Sequence, residues 1–160
     1  MIQVQTRNFG DIEITDERVL SFPYGLPGFP FLRHFTLVSD QTGKNSDEDS
    51  ANDPGEDSDI FCWLQSMEDP DVSFCLMTLT KIMPEYAPLV EESDILILGQ
   101  VKLEELLVYN IVVIPDNPRD MTVNMKAPVV INPQTRQGMQ VICQNEDYAI
   151  RQPLFAQNPE

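Results

Sequence analysis

Twenty residues from Ile60 to Leu79 read I-F-C-W-L-Q-S-M-E-D-P-D-V-S-F-C-L-M-T-L. Both flanks alternate roughly in twos and are rich in aromatic and aliphatic residues, the pattern of half-buried strands. Between them stand Glu68, Asp69, Pro70 and Asp71. Proline fixes its own φ and suits a turn, and aspartates bond their neighbouring backbone. The stretch therefore predicts an antiparallel hairpin with three carboxylates at its tip. An apolar hairpin with an acidic end suits docking to a partner.

The rest of the chain is punctuated in the same way. Ile12 and Ile14 alternate with Asp11 and Glu13 as a half-buried strand, and Val19 to Phe22 reads as another. The run F-P-Y-G-L-P-G-F-P, Phe22 to Pro30, holds three prolines and two glycines and excludes both helix and interior strand. It reads as a turn whose aromatic side chains plug the core, or else as an apolar binding surface formed by Tyr24, Leu26 and Phe29. Phe35 and Leu37, alternating with His34 and Thr36, mark a third strand.

Pro84 to Pro88 is a link. Glu91 to Leu98 fits a short helix, with acids favourable to its dipole and Gly99 as a stop, although I-L-I-L also suits a strand. Lys102 to Leu106 fits a further helical turn. Leu107 to Ile114 is a buried strand. Strands at Met121–Met125, Pro128–Ile131 and Met139–Cys143 follow, with a turn at 132–138 and an edge at Ile150–Leu154. Many short strands in one chain of 160 residues suggest a mainly β barrel or sandwich with minor helix. That length fits a single domain over 1–154, with 155–160 as a frayed tail.

One segment differs. Ser39 to Asp59 carries eight acids and one lysine, and its only aliphatic side chain is Ala51. It buries too little to offset its ordering entropy and reads as a disordered acidic loop at 39–59. A calcium loop does not fit: counted from Asp49, the third position is Ala51 and the sixth is Pro54, where glycine is needed.

Charge narrows the partners. The net charge of −16 argues against direct nucleic-acid binding and against an anionic membrane surface, both of which need lysine and arginine. A basic partner is the natural complement. No apolar run approaches the ~18 residues of a membrane span, and the first residues lack the basic start and apolar core of a signal peptide. Cys62, Cys75 and Cys143 read as reduced thiols in a cytoplasmic protein.

No positive signal for catalysis, a metal or a cofactor emerges. His34 is the only histidine, and no Cys-x-x-Cys, His-x-x-His or glycine-rich phosphate loop occurs. With 26 acids, paired carboxylates discriminate nothing. A small-molecule-binding β-barrel with polar groups converging around His34 is the remaining chemical reading.

Three motifs in order carry a family resemblance: F-P-Y-G-L-P-G-F at 22–29, F-C-W-L-Q-S-M-E-D-P-D at 61–71 and A-P-V-V-I-N-P-Q-T-R-Q-G-M-Q-V-I at 127–142. Together they resemble the flagellar assembly factor FliW family, from about Thr6 to Leu154, with T-R-N-F-G-D-I-E-I at 6–14 and I-V-V-I-P at 111–115 in register. The resemblance implies a small antiparallel β-barrel-like fold and no catalysis. It implies two partners: CsrA, a small dimeric RNA-binding repressor of translation, and flagellin, which competes for the factor. Exported flagellin would free the factor, which would sequester CsrA and let flagellin translation resume. The implied antagonism is allosteric, away from the RNA site. A flagellin chaperone without CsrA antagonism is the alternative.

On this reading Glu68, Asp69 and Asp71 form an acidic contact patch, with Trp63 and Gln65 as supports; Asp69-Pro70-Asp71 equally makes the turn. Asn132, Thr135 and Arg136 match the third motif, Arg136 either meeting a partner or holding a carboxylate. Asn124 fits a strand-end turn. Two departures stand out. The acidic segment before Trp63 is longer than the family's usual connection, and Gln152 stands where family members often carry histidine.

Overall fold

A computed structural model describes residues 2–39 and 60–155. Among the described residues, eleven strands lie in two sheets. β1 (Ile2–Thr6) and β2 (Gly10–Ile14) form an antiparallel hairpin of their own. The larger sheet contains β3 (Leu20–Ser21), β4 (His34–Ser39), β5 (Phe61–Ser66), β6 (Ser73–Met77), β7 (Leu107–Val113), β8 (Thr122–Val123), β9 (Val129–Asn132), β10 (Gln137–Gln140) and β11 (Gln152–Pro153). Its order is β11-β8-β7-β6-β5-β4-β3-β10-β9, and β9 pairs back onto β7. Seven strands, β3 to β7 with β9 and β10, therefore close a barrel in which each is flanked by two others, while β8 and β11 branch from β7. Every pairing in it is antiparallel except β3 with β10.

The barrel explains the near-continuous apolar runs in strands that should alternate. Leu64 and Leu76 face an inner cluster with Leu20, Phe22, Phe35, Val129 and Ile131. Their strand neighbours Cys75 and Met77 face an outer cluster with Leu79, Tyr86, Val112, Val123 and Met125. Val130, between Val129 and Ile131, faces a third cluster with Ile95, Leu98, Leu106 and Val141. Both faces of these strands are covered, so alternation separates two apolar environments rather than core from water.

The expected hairpin forms, with Phe61 opposite Met77 and Gln65 opposite Ser73, although Leu79 opens a 3-10 segment instead of extending β6. Helix among the described residues is confined to short 3-10 segments. The expected helix at Glu91–Leu98 is such a segment, Glu92–Leu98, interrupted by non-helical φ/ψ at Ile95. Across that kink Ile95 and Leu98 both enter the third cluster. Gly99 ends the segment at φ 109°, as expected of a stop.

The last expected hairpin strand is displaced. β10 begins at Gln137, opposite Asn132, rather than at Met139. The same register continues through Val141 N–H to Pro128 O (3.0 Å) and Cys143 N–H to Lys126 O (2.9 Å), so the stretch to Cys143 remains paired. Cys75 and Cys143 are buried and Cys62 is half-buried. Of the acidic segment, Ser39 is the last residue of β4, opposite Cys62; 40–59 lie outside the described residues, as do 156–160 of the tail.

Phe22 to Pro30 plugs the core through some of its aromatics only. Phe22 and Leu26 are buried, and Phe29 meets Phe74 edge-on at 5.6 Å. Tyr24 is exposed. Gly138 is required beside this plug, because a Cβ there would lie 2.6 Å from Phe22 Cζ.

Candidate functional site

Strand directions place the candidate residues. β3 ends, β4 begins, β5 ends and β6 begins at one rim, since Ser21 pairs His34, Phe35 pairs Ser66 and Gln65 pairs Ser73. That rim carries the hairpin tip, 67–72, and the proline-rich loop between β3 and β4. β9 ends and β10 begins at the opposite rim, where Leu107 pairs Ile131. Glu68, Asp69 and Asp71 thus lie together, while Asn132, Thr135 and Arg136 lie at the other end of the barrel.

The hairpin tip is held by side chains from its own strands. Gln65 is fully buried, and its Nε2 lies within hydrogen-bond reach of Ser66 O (3.0 Å), Val72 O (3.2 Å) and Pro70 O (3.3 Å). Ser66 Oγ accepts the N–H of Glu68 (3.1 Å) and of Asp69 (3.0 Å). Asp69 Oδ1 accepts Asp71 N–H at 3.0 Å, and Asp69 O accepts Val72 N–H at 3.1 Å, closing the turn around Pro70. The β1–β2 hairpin braces the tip from outside: Arg7 N–H donates to Pro70 O at 3.0 Å, and Phe9 stands edge-on to Trp63 at 6.1 Å. Gln65 and Trp63 thus lie behind the tip, Gln65 bonded to its backbone and Trp63 packed against the bracing hairpin.

Glu68 reaches back to β4. Its Oε1 accepts the N–H of Arg33 (2.7 Å) and of His34 (3.2 Å), and its Oε2 lies 2.9 Å from His34 Nδ1. Partial burial pushes the Glu68 carboxyl up, but the His34 ring and the two backbone N–H groups outweigh it and hold it below the ordinary carboxylate range. Most of its acceptor capacity is spent within the chain. Asp71 is exposed, and its own N–H rather than its carboxylate is used to close the turn. His34, the sequence's lone candidate base, is half exposed and aims Nδ1 at this carboxylate.

At the other rim Asn132 is a buried structural residue. Its Nδ2 donates to Leu98 O at 2.7 Å, and its Oδ1 accepts Gln134 N–H at 2.9 Å. Thr135 is exposed. Arg136 adopts φ 61°, left-handed backbone, while its N–H donates to Asn132 O and its own O accepts Ser21 N–H. Among the described residues it has no carboxylate within 4 Å. Glu17 is held below the usual range by its own backbone N–H first, then by the Thr15 hydroxyl, with a lesser pull from Arg136. Asn124 makes the expected turn, its Oδ1 accepting Ala127 N–H at 2.9 Å.

Sequence reasoning missed Ser66, Arg33 and His34 as parts of the tip. Ser66, followed within three residues by two acids, carried a local turn signal. The partnership with Arg33 and His34 depends on strand pairing across 34–35 residues, which leaves no local trace. No group of three or more metal-ligating side chains occurs among the described residues. Nor is any helix there long and apolar enough to cross a membrane.

Fold and site together define a small closed β-barrel that displays one rigid, carboxylate-bearing hairpin at a rim. The family model described as FliW protein matches residues 3–154. The flagellar assembly factor FliW of Leptospira interrogans serogroup Icterohaemorrhagiae serovar copenhageni is 33% identical over 155 residues, covering 96% of this chain and 93% of that protein. The factor of the same name from Bdellovibrio bacteriovorus is 36% identical over 152 residues, covering 95% of this chain and 78% of that protein. A crystal structure of the flagellar assembly factor FliW superposes with a TM-score of 0.79 at 28% identity, over 98% of this chain and 99% of that one. The chain belongs to the FliW family of flagellar assembly factors.

Proposed function

We propose that this flagellar assembly factor is a non-catalytic cytoplasmic regulator that binds CsrA and flagellin, coupling the flagellin level to flagellin translation. The observation that carries the reading is the family match over nearly the whole chain, which extends across all three motifs that bear the resemblance. Charge supports it. A chain of net −16 is drawn to a basic RNA-binding protein, and opposite fields speed encounter. The hairpin tip adds preorganisation, since a turn already fixed by its own hydrogen bonds loses little freedom on binding.

Antagonism away from the RNA site needs a coupling of only about 1–3 kcal/mol, or roughly 5–150-fold. The bound factor's negative field adds repulsion toward RNA, which fades with salt because screening is substantial beyond about 8 Å at physiological ionic strength. Calorimetry against CsrA from the same organism tests the reading. Binding at micromolar concentration in low salt is expected, and its absence sinks the CsrA arm. Flagellin added to the preformed complex should displace CsrA.

A further inference from the structure

The loop between β3 and β4 continues the strand pairing beyond the strands themselves. Leu20 pairs Phe35 and Ser21 pairs His34. Phe22 N–H then donates to Arg33 O at 2.8 Å, and Leu26 bridges Phe29. Gly25 lies against Pro30: a Cβ there would stand 2.6 Å from Pro30 Cα. Each of these pairs obeys one register, which sets Tyr24 opposite Phe31. Both are exposed, at 62% and 71%. The loop is braced by buried Phe22 and Leu26, so the two rings are presented to solvent from a fixed backbone.

A cleft of about 270 Å³ adjoins Tyr24, lined by Tyr24, Pro27, Gly28 and Pro30 on one side and by Met139 and Gln140 on the other. Ile142, two residues beyond Gln140, is 68% exposed. Next to the loop along the same rim lies the hairpin tip, tied to it where Glu68 accepts Arg33 N–H. The Arg33 guanidinium is turned back on its own loop, with Nε donating to Pro30 O at 3.3 Å. An apolar centre beside a charged margin is the anatomy of a protein interface, and rigid aromatic anchors are favoured at its hot spots.

We infer that the Tyr24–Phe31 pair and its cleft form the apolar centre of a docking surface for a basic protein, with Asp71 and its neighbours as the acidic rim. The partner inserts an apolar side chain beside the two rings and sets lysines or arginines against the rim. A second copy of this chain is the poorer occupant, because two molecules of net −16 repel one another. This inference rests on the proposed function, in which the basic partner is CsrA.

Calorimetry of CsrA against variants, each first verified as folded by its melting transition, tests it. Tyr24→Ser and Phe31→Ser remove exposed rings, and exposed substitutions of this kind usually leave stability within about 0.5 kcal/mol. Each should weaken binding by about tenfold or more with an unchanged salt dependence. Asp71→Asn should weaken binding and flatten its salt dependence, because it removes a screened charge. Glu104→Gln, at the opposite rim, should change little. Wild-type affinity in the folded Tyr24→Ser/Phe31→Ser double variant would overturn the docking surface while leaving the CsrA reading intact. No binding by the unaltered protein would overturn both.

Discussion

Glu68 Oε2 stands 2.9 Å from His34 Nδ1, across 34 residues of chain. With Oε1 taken by the backbone N–H groups of Arg33 and His34, where β4 begins, this carboxylate locks the hairpin tip to the neighbouring strand. Glu68 is thereby a positioning residue more than a free charge, and Asp71 is the tip carboxylate left to meet a partner.

Replacing Glu68 with alanine should lower stability by about 1 kcal/mol, the modest value suiting a partly exposed carboxylate with charge-assisted bonds. Glu68→Gln keeps an acceptor oxygen and should lose less. The Glu68 carboxyl is held low in the folded protein. Its contribution is therefore complete above the unfolded value of about 4.3 and is lost as pH falls through the folded value. Urea unfolding should show wild type and Glu68→Gln differing at pH 7 and converging at pH 3.

Tyr86 offers a buried counterpart. Its hydroxyl donates to Met125 O at 2.8 Å and accepts from Asn110 Nδ2 at 2.9 Å. Tyr86→Phe removes both bonds, although Asn110 Nδ2 keeps its bond to Asn124 O at 2.8 Å; Asn110 Oδ1 is already unpaired among the described residues. The loss should be about 1–3 kcal/mol, seen as a melting temperature lower by about 2–4 °C per kcal/mol. Burial raises the Tyr86 hydroxyl well above its ordinary value and pushes Tyr109 up to about 12. A raised phenol favours the protonated fold, so stability should fall as pH rises above the unfolded value of about 10. Wild type should lose more there than Tyr86→Phe.

Three glycines should rank by what a Cβ meets. At Gly25, with φ 64°, it would lie 2.5 Å from Phe29 O, which is backbone and cannot swing aside. At Gly138 it would meet the buried Phe22 ring, an overpacking cost of about 1–3 kcal/mol. At Gly10, with φ 70°, nothing lies within 4 Å, leaving only the left-handed penalty of roughly 1–2 kcal/mol. Denaturant midpoints of the three alanine variants should place Gly25→Ala lowest.

Asn132→Ala should cost about 1–3 kcal/mol by unpairing Leu98 O and Gln134 N–H. Because this turn lies at the rim opposite the tip, the folded variant should bind CsrA as wild type does. Calorimetry below the melting transition separates the two effects.

Local pattern made the hairpin legible: alternation gave both strands, and D-P-D gave the turn. Gly99 and Asn124 were legible for the same reason, since a helix stop and an Asx turn need only neighbouring residues. Barrel closure was not, because it depends on β7 pairing β6 with one edge and β9 with the other. Over Glu91–Leu98 the acids and Gly99 mark helix ends while I-L-I-L suits a strand, so the local pattern leaves both open. In the structure Ile95 and Leu98 are buried together across a kink at Ile95, which no neighbouring residue signals. At the candidate site the three carboxylates were visible as residues. The different tasks of Glu68 and Asp71 were fixed only by where β4 begins.

The central claim, that this factor relieves CsrA of RNA, is tested most directly by the anisotropy of a labelled flagellin-leader RNA bound to CsrA as the factor is titrated in. The account predicts RNA release that saturates, with CsrA's RNA affinity lowered by roughly 5–150-fold at saturation. Anisotropy that stays flat while calorimetry shows the factor bound would contradict it.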